Sequence, residues 1–136
     1  MDAPVFLDTS GLYAVFDADD ASHAVAAPAW RDLVASSAPL HTSSYVLVEC
    51  TALLQRRLGV EAVEALATYV LPHVQVEWVD EQTHAQALAV LVSAGRRGLS
   101  LVDCTSFVIM RRLGIRTALT VDKHFAAQGF TLMPRA

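Results

Sequence analysis

Five short apolar runs, at residues 5–7, 39–42, 74–79, 117–121 and 130–133, recur along the chain with at least one segment of helical character between each and the next. A strand that passes into a helix before the next strand calls for a parallel sheet, because a parallel neighbour is reached only through a crossover. The crossing helices then cover both faces of that sheet. The order predicts an α/β chain, a three-layer α/β/α sandwich around a mainly parallel sheet. At 136 residues and 54% hydrophobic, the chain suits one domain over residues 1–136, able to bury about two-thirds of the surface its unfolded form exposes. No internal repeat, linker or low-complexity segment breaks the order.

Val5-Phe6-Leu7, led by Pro4 and closed by Asp8-Thr9-Ser10-Gly11, reads as a buried strand ending in a turn, with a helix over 12–16. Ser22 caps a helix to residue 36 whose apolar positions are Val25, Trp30, Leu33 and Val34. After the strand at 39–42, Ser43 or Ser44 caps a helix to residue 58, stopped by Gly59, with Val46, Cys50, Leu53 and Leu54 in helical period. A helix over 60–71 ends at Pro72, and the alternating run 74–79 is a strand. An alanine-rich helix over 81–94 closes at Gly95 and Gly98, and a helix over 103–113 closes at Gly114. A strand at 117–121, a short helix at 122–128 and a strand at 130–133 complete the chain.

Four acids stand where these elements meet polar breaks. Asp8 directly follows the first strand, Asp122 directly follows the fourth, Asp103 opens the late helix, and Glu49 lies inside the helix ending at 58. In open parallel sheets, sites form in the crevice beyond the carboxyl ends of the strands, which puts Asp8 and Asp122 there. Asp103 can be held ionised by free N–H groups at its helix start. Glu49 has Val46 and Leu53 as i−3 and i+4 neighbours and is expected close to the inward face. A carboxylate in an apolar setting is disfavoured by on the order of several kcal/mol unless a proton, a basic partner or a metal neutralises it. With a single lysine, Lys123, and arginines mostly elsewhere, a divalent cation is the simplest counter-charge. All-oxygen ligation favours Mg²⁺ or Mn²⁺ over zinc. Asp8, Glu49, Asp103 and Asp122 are therefore candidate metal ligands and catalytic residues for hydrolysis of a phosphodiester, with one ion or two left open. Structural explanations stand beside this: Asp8 as a turn or cap residue, Asp103 as an N-cap, Asp122 as a cap of the short helix. Glu49 is the hardest to explain in that way.

The net charge of −4 argues against bulk electrostatic gripping of nucleic acid, though not against nucleic acid as substrate. Arg56-Arg57, Arg96-Arg97 and Arg111-Arg112 could contact phosphate, or simply be solvated helix ends. Cys50 and Cys104 match no C-x-x-C pattern and are expected to pack as small hydrophobes. No apolar stretch approaches the roughly 20 residues of a membrane span, and the chain start lacks the marks of a secretory signal. A soluble, cytoplasmic protein is expected.

The pattern resembles a PIN domain, and the length resembles the VapC-type ribonuclease toxins of bacterial toxin–antitoxin pairs. The resemblance covers nearly the whole chain. It rests on Phe6-Leu7-Asp8-Thr9-Ser10, on Glu49 in the helix after Thr42-Ser43-Ser44, on Leu101-Val102-Asp103, and on Leu119-Thr120-Val121-Asp122-Lys123-His124-Phe125. It implies a three-layer parallel fold, Mg²⁺ or Mn²⁺, and endonucleolytic cleavage of RNA. It also implies Asp8 and Asp103 as direct ligands, with Glu49 and Asp122 completing the site directly or through water. A supporting hydroxyl is expected from Thr9, Ser10 or Thr120, and a homodimer and a cognate antitoxin as partners.

Other chemistries fit less well. A metal-independent ribonuclease needs paired acid–base groups, usually histidine, and His23, His41, His73, His84 and His124 share no motif. His124, two residues after Asp122, could touch substrate but is assigned a structural or rim role. A phosphatase would want a second acid where Ser10 stands. The alternatives kept are a non-catalytic PIN-like binding module in a complex and a DNA-directed nuclease.

Overall fold

The structure, a computed structural model, describes residues 2–134. Residues 1, 135 and 136 of the expected domain lie outside the described residues. All the predicted strands form: β1 (Val5–Leu7), β2 (Leu40–Ser43), β3 (Val74–Glu77), β4 (Thr117–Leu119) and β5 (Thr131–Met133). They make a 5-stranded sheet in the order β3-β2-β1-β4-β5 with every neighbouring pair parallel. The helices that cover it are α1 (Thr9–Phe16), α2 (His23–Ala35), α3 (Ser44–Leu58), α4 (Val60–Ala65), α5 (Glu81–Ala94), α6 (Leu101–Leu113) and α7 (Lys123–Ala127). The expected α/β/α fold is the one observed. Among the described residues, no helix is long and apolar enough to cross a membrane.

Helix ends follow local chemistry. The Ser43 hydroxyl accepts from the Val46 N–H at 3.1 Å to open α3, and Asp80 accepts from the Thr83 N–H at 2.8 Å to open α5. Gly114, at φ 70°, closes α6 in a left-handed conformation that suits glycine.

Several boundaries differ from expectation. α1 starts at Thr9 rather than at residue 12, because the turn residues after Asp8 already form its first turn. The helix expected over 60–71 is regular only to Ala65. It widens into a π turn at Leu66–Val70 and tightens into a 3-10 turn at Leu71–His73. Pro72 lacks an N–H and would crowd the carbonyl four residues earlier, so a regular helix cannot carry through it. In α2 the buried positions are Ala26, Ala29 and Leu33, whereas Val25 and Val34 are exposed. Two alanines on that face let α2 pack closely against α1.

β1 lies mid-sheet, with β2 on one side and β4 on the other. The sheet therefore changes its direction of growth between β1 and β4, and a crevice opens beyond their carboxyl ends. The joint there is tight. The Asp8 N–H donates to the Leu119 carbonyl at 3.0 Å, and the Thr42 hydroxyl donates to the Leu7 carbonyl at 2.7 Å. A Cβ on Gly11 would stand 2.3 Å from the Leu119 carbonyl oxygen, so α1 rests directly on the end of β4.

The core runs from the fully buried Phe6 and Leu7 outward to an aromatic cluster. Phe107 of α6 meets Phe125 of α7 edge-on at 4.9 Å and stacks on Phe130 at 5.8 Å. Such pairs add about 0.5–1.5 kcal/mol each beyond area burial. Asp103 lies one helical turn before Phe107, and Asp122 caps the helix that carries Phe125, so this cluster sets both acids side by side.

Gly11→Ala should push α1 off β4 and lower stability by roughly 1–3 kcal/mol, the usual range for overpacking. Urea denaturation of the variant beside the parent measures the loss, and an unchanged midpoint would contradict the close packing.

Candidate active site

Asp8, Glu49, Asp103 and Asp122 line one cavity of about 440 Å³, together with Thr9, Ser10, Ala52, Leu53, Arg56 and Ser100. The cavity occupies the crevice at the change of direction between β1 and β4. All four acids singled out in the sequence meet there, although they differ sharply in setting.

Asp8 is 3% exposed, and two hydroxyls hold it: Thr120 donates to Oδ2 at 2.8 Å and Ser10 donates to the same oxygen at 2.9 Å. The two hydroxyl oxygens stand 3.0 Å apart. Each also accepts a backbone N–H, Ser10 from Val121 and Thr120 from Asp122, both at 3.0 Å. Of the three hydroxyls named from sequence, Ser10 and Thr120 therefore support the first acid. Thr9 does not; its hydroxyl is buried without a hydrogen-bond partner.

Asp103, 9% exposed, sits at the third helical position of α6 rather than opening it. Its Oδ2 accepts from the Ser100 N–H at 3.1 Å, and its own N–H donates to the Ser100 hydroxyl at 3.0 Å, a reciprocal capping box. Asp122 caps α7, its Oδ1 accepting from the His124 N–H at 2.9 Å. The structural explanations for Asp103 and Asp122 are thus realised as well, and both residues still face the cavity.

Glu49 corrects an expectation: its side chain is exposed on the cavity wall, not buried toward the inward face. The buried stripe of α3 is Val46, Cys50 and Leu54, and Glu49 flanks it. Burial therefore strains two of the acids, Asp8 and Asp103, rather than all four.

The electrostatics follow from that burial. Desolvation pushes the Asp8 pKa up from 3.8 to about 6; the bonds from Thr120 and Ser10 oppose the rise, and the charges of Asp103 and Asp122 add to it. Desolvation also raises Asp103, against the Ser100 bonds and with the charges of Asp122 and Glu49. Cys50 and Cys104 are both buried, as expected, and burial pushes the Cys50 thiol up to about 12, which keeps it an inert neutral packing group.

The donor set fits a hard divalent cation. Each aspartate commits one carboxylate oxygen to hydroxyl or N–H donors within the protein, leaving the other oxygen for a further partner. Among the described residues, no lysine or arginine lies within 4.0 Å of any of the four carboxylates. The tightest grouping is Asp103, Asp122 and His124, whose donor atoms fall within 4.8 Å of one another. Asp8 and Glu49 line the cavity outside that grouping.

Two further residues belong to this setting, one placed at the rim from sequence and one not named there. His124, assigned to the rim, has its Nδ1 2.9 Å from Asp122 Oδ1, without hydrogen-bond geometry. Ser100 lines the cavity and positions Asp103; the signal for it was present, since a serine three residues before an acid is a helix-start pattern.

The family model described as "PIN domain" matches residues 5–130. The chain is 41% identical over 128 residues, 93% of its length and 95% of the relative's, to the 23S rRNA-specific endonuclease VapC20 of Mycobacterium tuberculosis. It is 30% identical over 131 residues, 90% of each chain, to Ribonuclease VapC26 of the same organism. Among solved structures it is similar to the Mycobacterium tuberculosis VapC20 crystal structure, described as a Sarcin-Ricin loop cleaving toxin, with a TM-score of 0.82, 38% identity and coverage of 93% of this chain and 96% of that one. The fold also matches FitAcB from Neisseria gonorrhoeae, with a TM-score of 0.66 at 17% identity, covering 94% of this chain and 95% of that one.

Because the folded state holds Asp8 at a pKa near 6 against 3.8 for the free side chain, it binds more protons than the unfolded state between those values. Stability therefore falls as pH rises through that window, and the penalty is complete above it. In EDTA, Asp8→Asn should be more stable than the parent at pH 7, by on the order of 3 kcal/mol at most, and the gain should shrink as pH drops toward 4. Urea titrations at several pH values measure it; equal stability of the two proteins at pH 7 would contradict the buried charge.

Proposed function

Because the chain belongs to the PIN domain family, we propose that its acid-lined cavity is the active site of a divalent-metal-dependent endoribonuclease, the toxin component of a toxin–antitoxin pair. The observation that carries this reading is the meeting of Asp8, Glu49, Asp103 and Asp122 in one cavity without a basic ion-pair partner among the described residues. The resemblance over most of its length to an endonuclease specific for 23S rRNA supports ribosomal RNA as the substrate class.

Asp8, Asp103 and Asp122, with Glu49 at the rim, would hold Mg²⁺ or Mn²⁺. When bound, such an ion lowers the pKa of water at neutral pH and offsets charge on the phosphodiester. The protein's own part is positioning. Ser10 and Thr120 lock the Asp8 carboxylate between α1 and β4, the Ser100 N–H fixes that of Asp103, and the His124 N–H fixes that of Asp122. Partners of this type hold a ligand in its productive orientation, and their removal typically weakens metal affinity or activity about 10–100-fold. The same reading takes a cytoplasmic setting, a homodimer and a cognate antitoxin as partners. A small DNA-binding protein encoded beside this chain and co-purifying with it would support the pairing.

Incubation with 23S rRNA in Mg²⁺ or Mn²⁺ should give discrete cleavage, abolished by EDTA. Asp8→Asn should slow it by at least about a hundredfold, and Thr120→Ala by roughly 10–100-fold. Equal cleavage by the parent in metal and in EDTA would sink the metal mechanism. Cleavage of single-stranded DNA in preference to RNA would make it a DNA nuclease, and cleavage of neither would favour a binding module.

A further inference from the structure

An acidic cavity that must accept a polyanion needs positive charge besides the metal, and the chain as a whole carries −4. The sequence offers three arginine pairs, and the structure separates them. Arg57 stacks on the Tyr13 ring at 5.3 Å. Arg111 bonds the Gln128 side chain at 2.8 Å and stacks on Phe130 at 5.2 Å. Arg112 donates to the Thr83 hydroxyl at 2.9 Å. Arg56 makes no such contact among the described residues, and it is the one basic side chain lining the acid cavity. It stands seven residues after Glu49 on α3, two turns along the same face.

We propose that Arg56 holds a backbone phosphate of the RNA next to the acid centre, on a linkage flanking the one cleaved. This role rests on the ribonuclease reading above and adds a residue outside the acid set. Arg56 supplies a planar pair of N–H donors suited to two phosphate oxygens. The contact is to backbone phosphate, so it fixes register rather than sequence.

The test uses the full chain with 23S rRNA, measuring kcat and KM over a salt series, Mn²⁺ affinity without RNA, and Tm. Arg56→Gln should raise KM about tenfold or more with a much smaller change in kcat, since the contact is made in substrate and transition state alike. It should lower the slope of log KM against log salt by about 0.7, the signature of one lost phosphate contact on a single strand, while Mn²⁺ affinity holds. Arg56→Lys should recover the slope and only part of the KM. Cleavage with KM and salt slope unchanged in Arg56→Gln overturns the proposal and leaves the ribonuclease reading standing. A parent protein that cleaves no RNA takes both down together.

Discussion

The seating of α1 on the carboxyl end of β4 is the contact on which the rest of the site depends. It requires a residue without a side chain at Gly11, because the Leu119 carbonyl occupies the space a Cβ would fill. With that approach made, Asp8 at the end of β1 comes within hydrogen-bonding reach of Thr120, 112 residues later in the chain. Ser10 closes the set by bonding both. Two strand ends and a helix start are thereby tied into one rigid corner, and that corner forms one wall of the cavity. The opposite wall is α6 and α7, drawn together by the stacking of Phe107, Phe125 and Phe130.

This corner is built against its own electrostatics. Asp8 is almost fully buried among groups that favour its ionised form only in part, and the neighbouring aspartates make ionisation harder. A fold selected for stability alone would place an amide or an apolar residue there. What the arrangement gains is a set of carboxylates already oriented, each with one oxygen engaged by the protein and one uncommitted. A divalent cation would convert the same repulsion into ligation, since it favours the ionised forms that burial disfavours. Local stability and a carboxylate kept preoriented are therefore opposed at Asp8, a trade common where a polar site is held preorganised.

Much of this was legible in the sequence because its signals are local. Alternation of short apolar runs with helical segments is enough for the parallel sheet, and glycine at 59, 95 and 114 is enough for three helix ends. The acids were found because each interrupts such a pattern. What was not legible depends on contacts between distant segments or on the width of a buried stripe. Helical period put Glu49 near the apolar face of α3, yet the stripe of Val46, Cys50 and Leu54 is narrow, and one residue's rotation of about 100° carries Glu49 to its exposed edge. The choice of Ser10 and Thr120 over Thr9 required knowing that β1 and β4 are neighbours, which no local pattern states. Pro72 signals a stop in the sequence, while the structure absorbs it by widening the turn before it.

The structural and chemical roles of the acids are not rivals. At the carboxyl edge of a parallel sheet each crossover helix begins beside the crevice, so a residue that caps such a helix is also a residue that lines the site. Asp103 completes a capping box on α6 and Asp122 caps α7, and both present carboxylate to the cavity. The bond that satisfies a helix N–H also fixes the orientation of the carboxylate. Asp8 is the informative exception. It occupies the N-cap position of α1 but spends its side chain on Ser10 and Thr120, which leaves that helix start without a side-chain cap in a cavity otherwise lined by acids. The carboxylate that would otherwise cap α1 is held at the strand ends instead, so the first turn of α1 goes without its usual side-chain acceptor and Asp8 is fixed between α1 and β4.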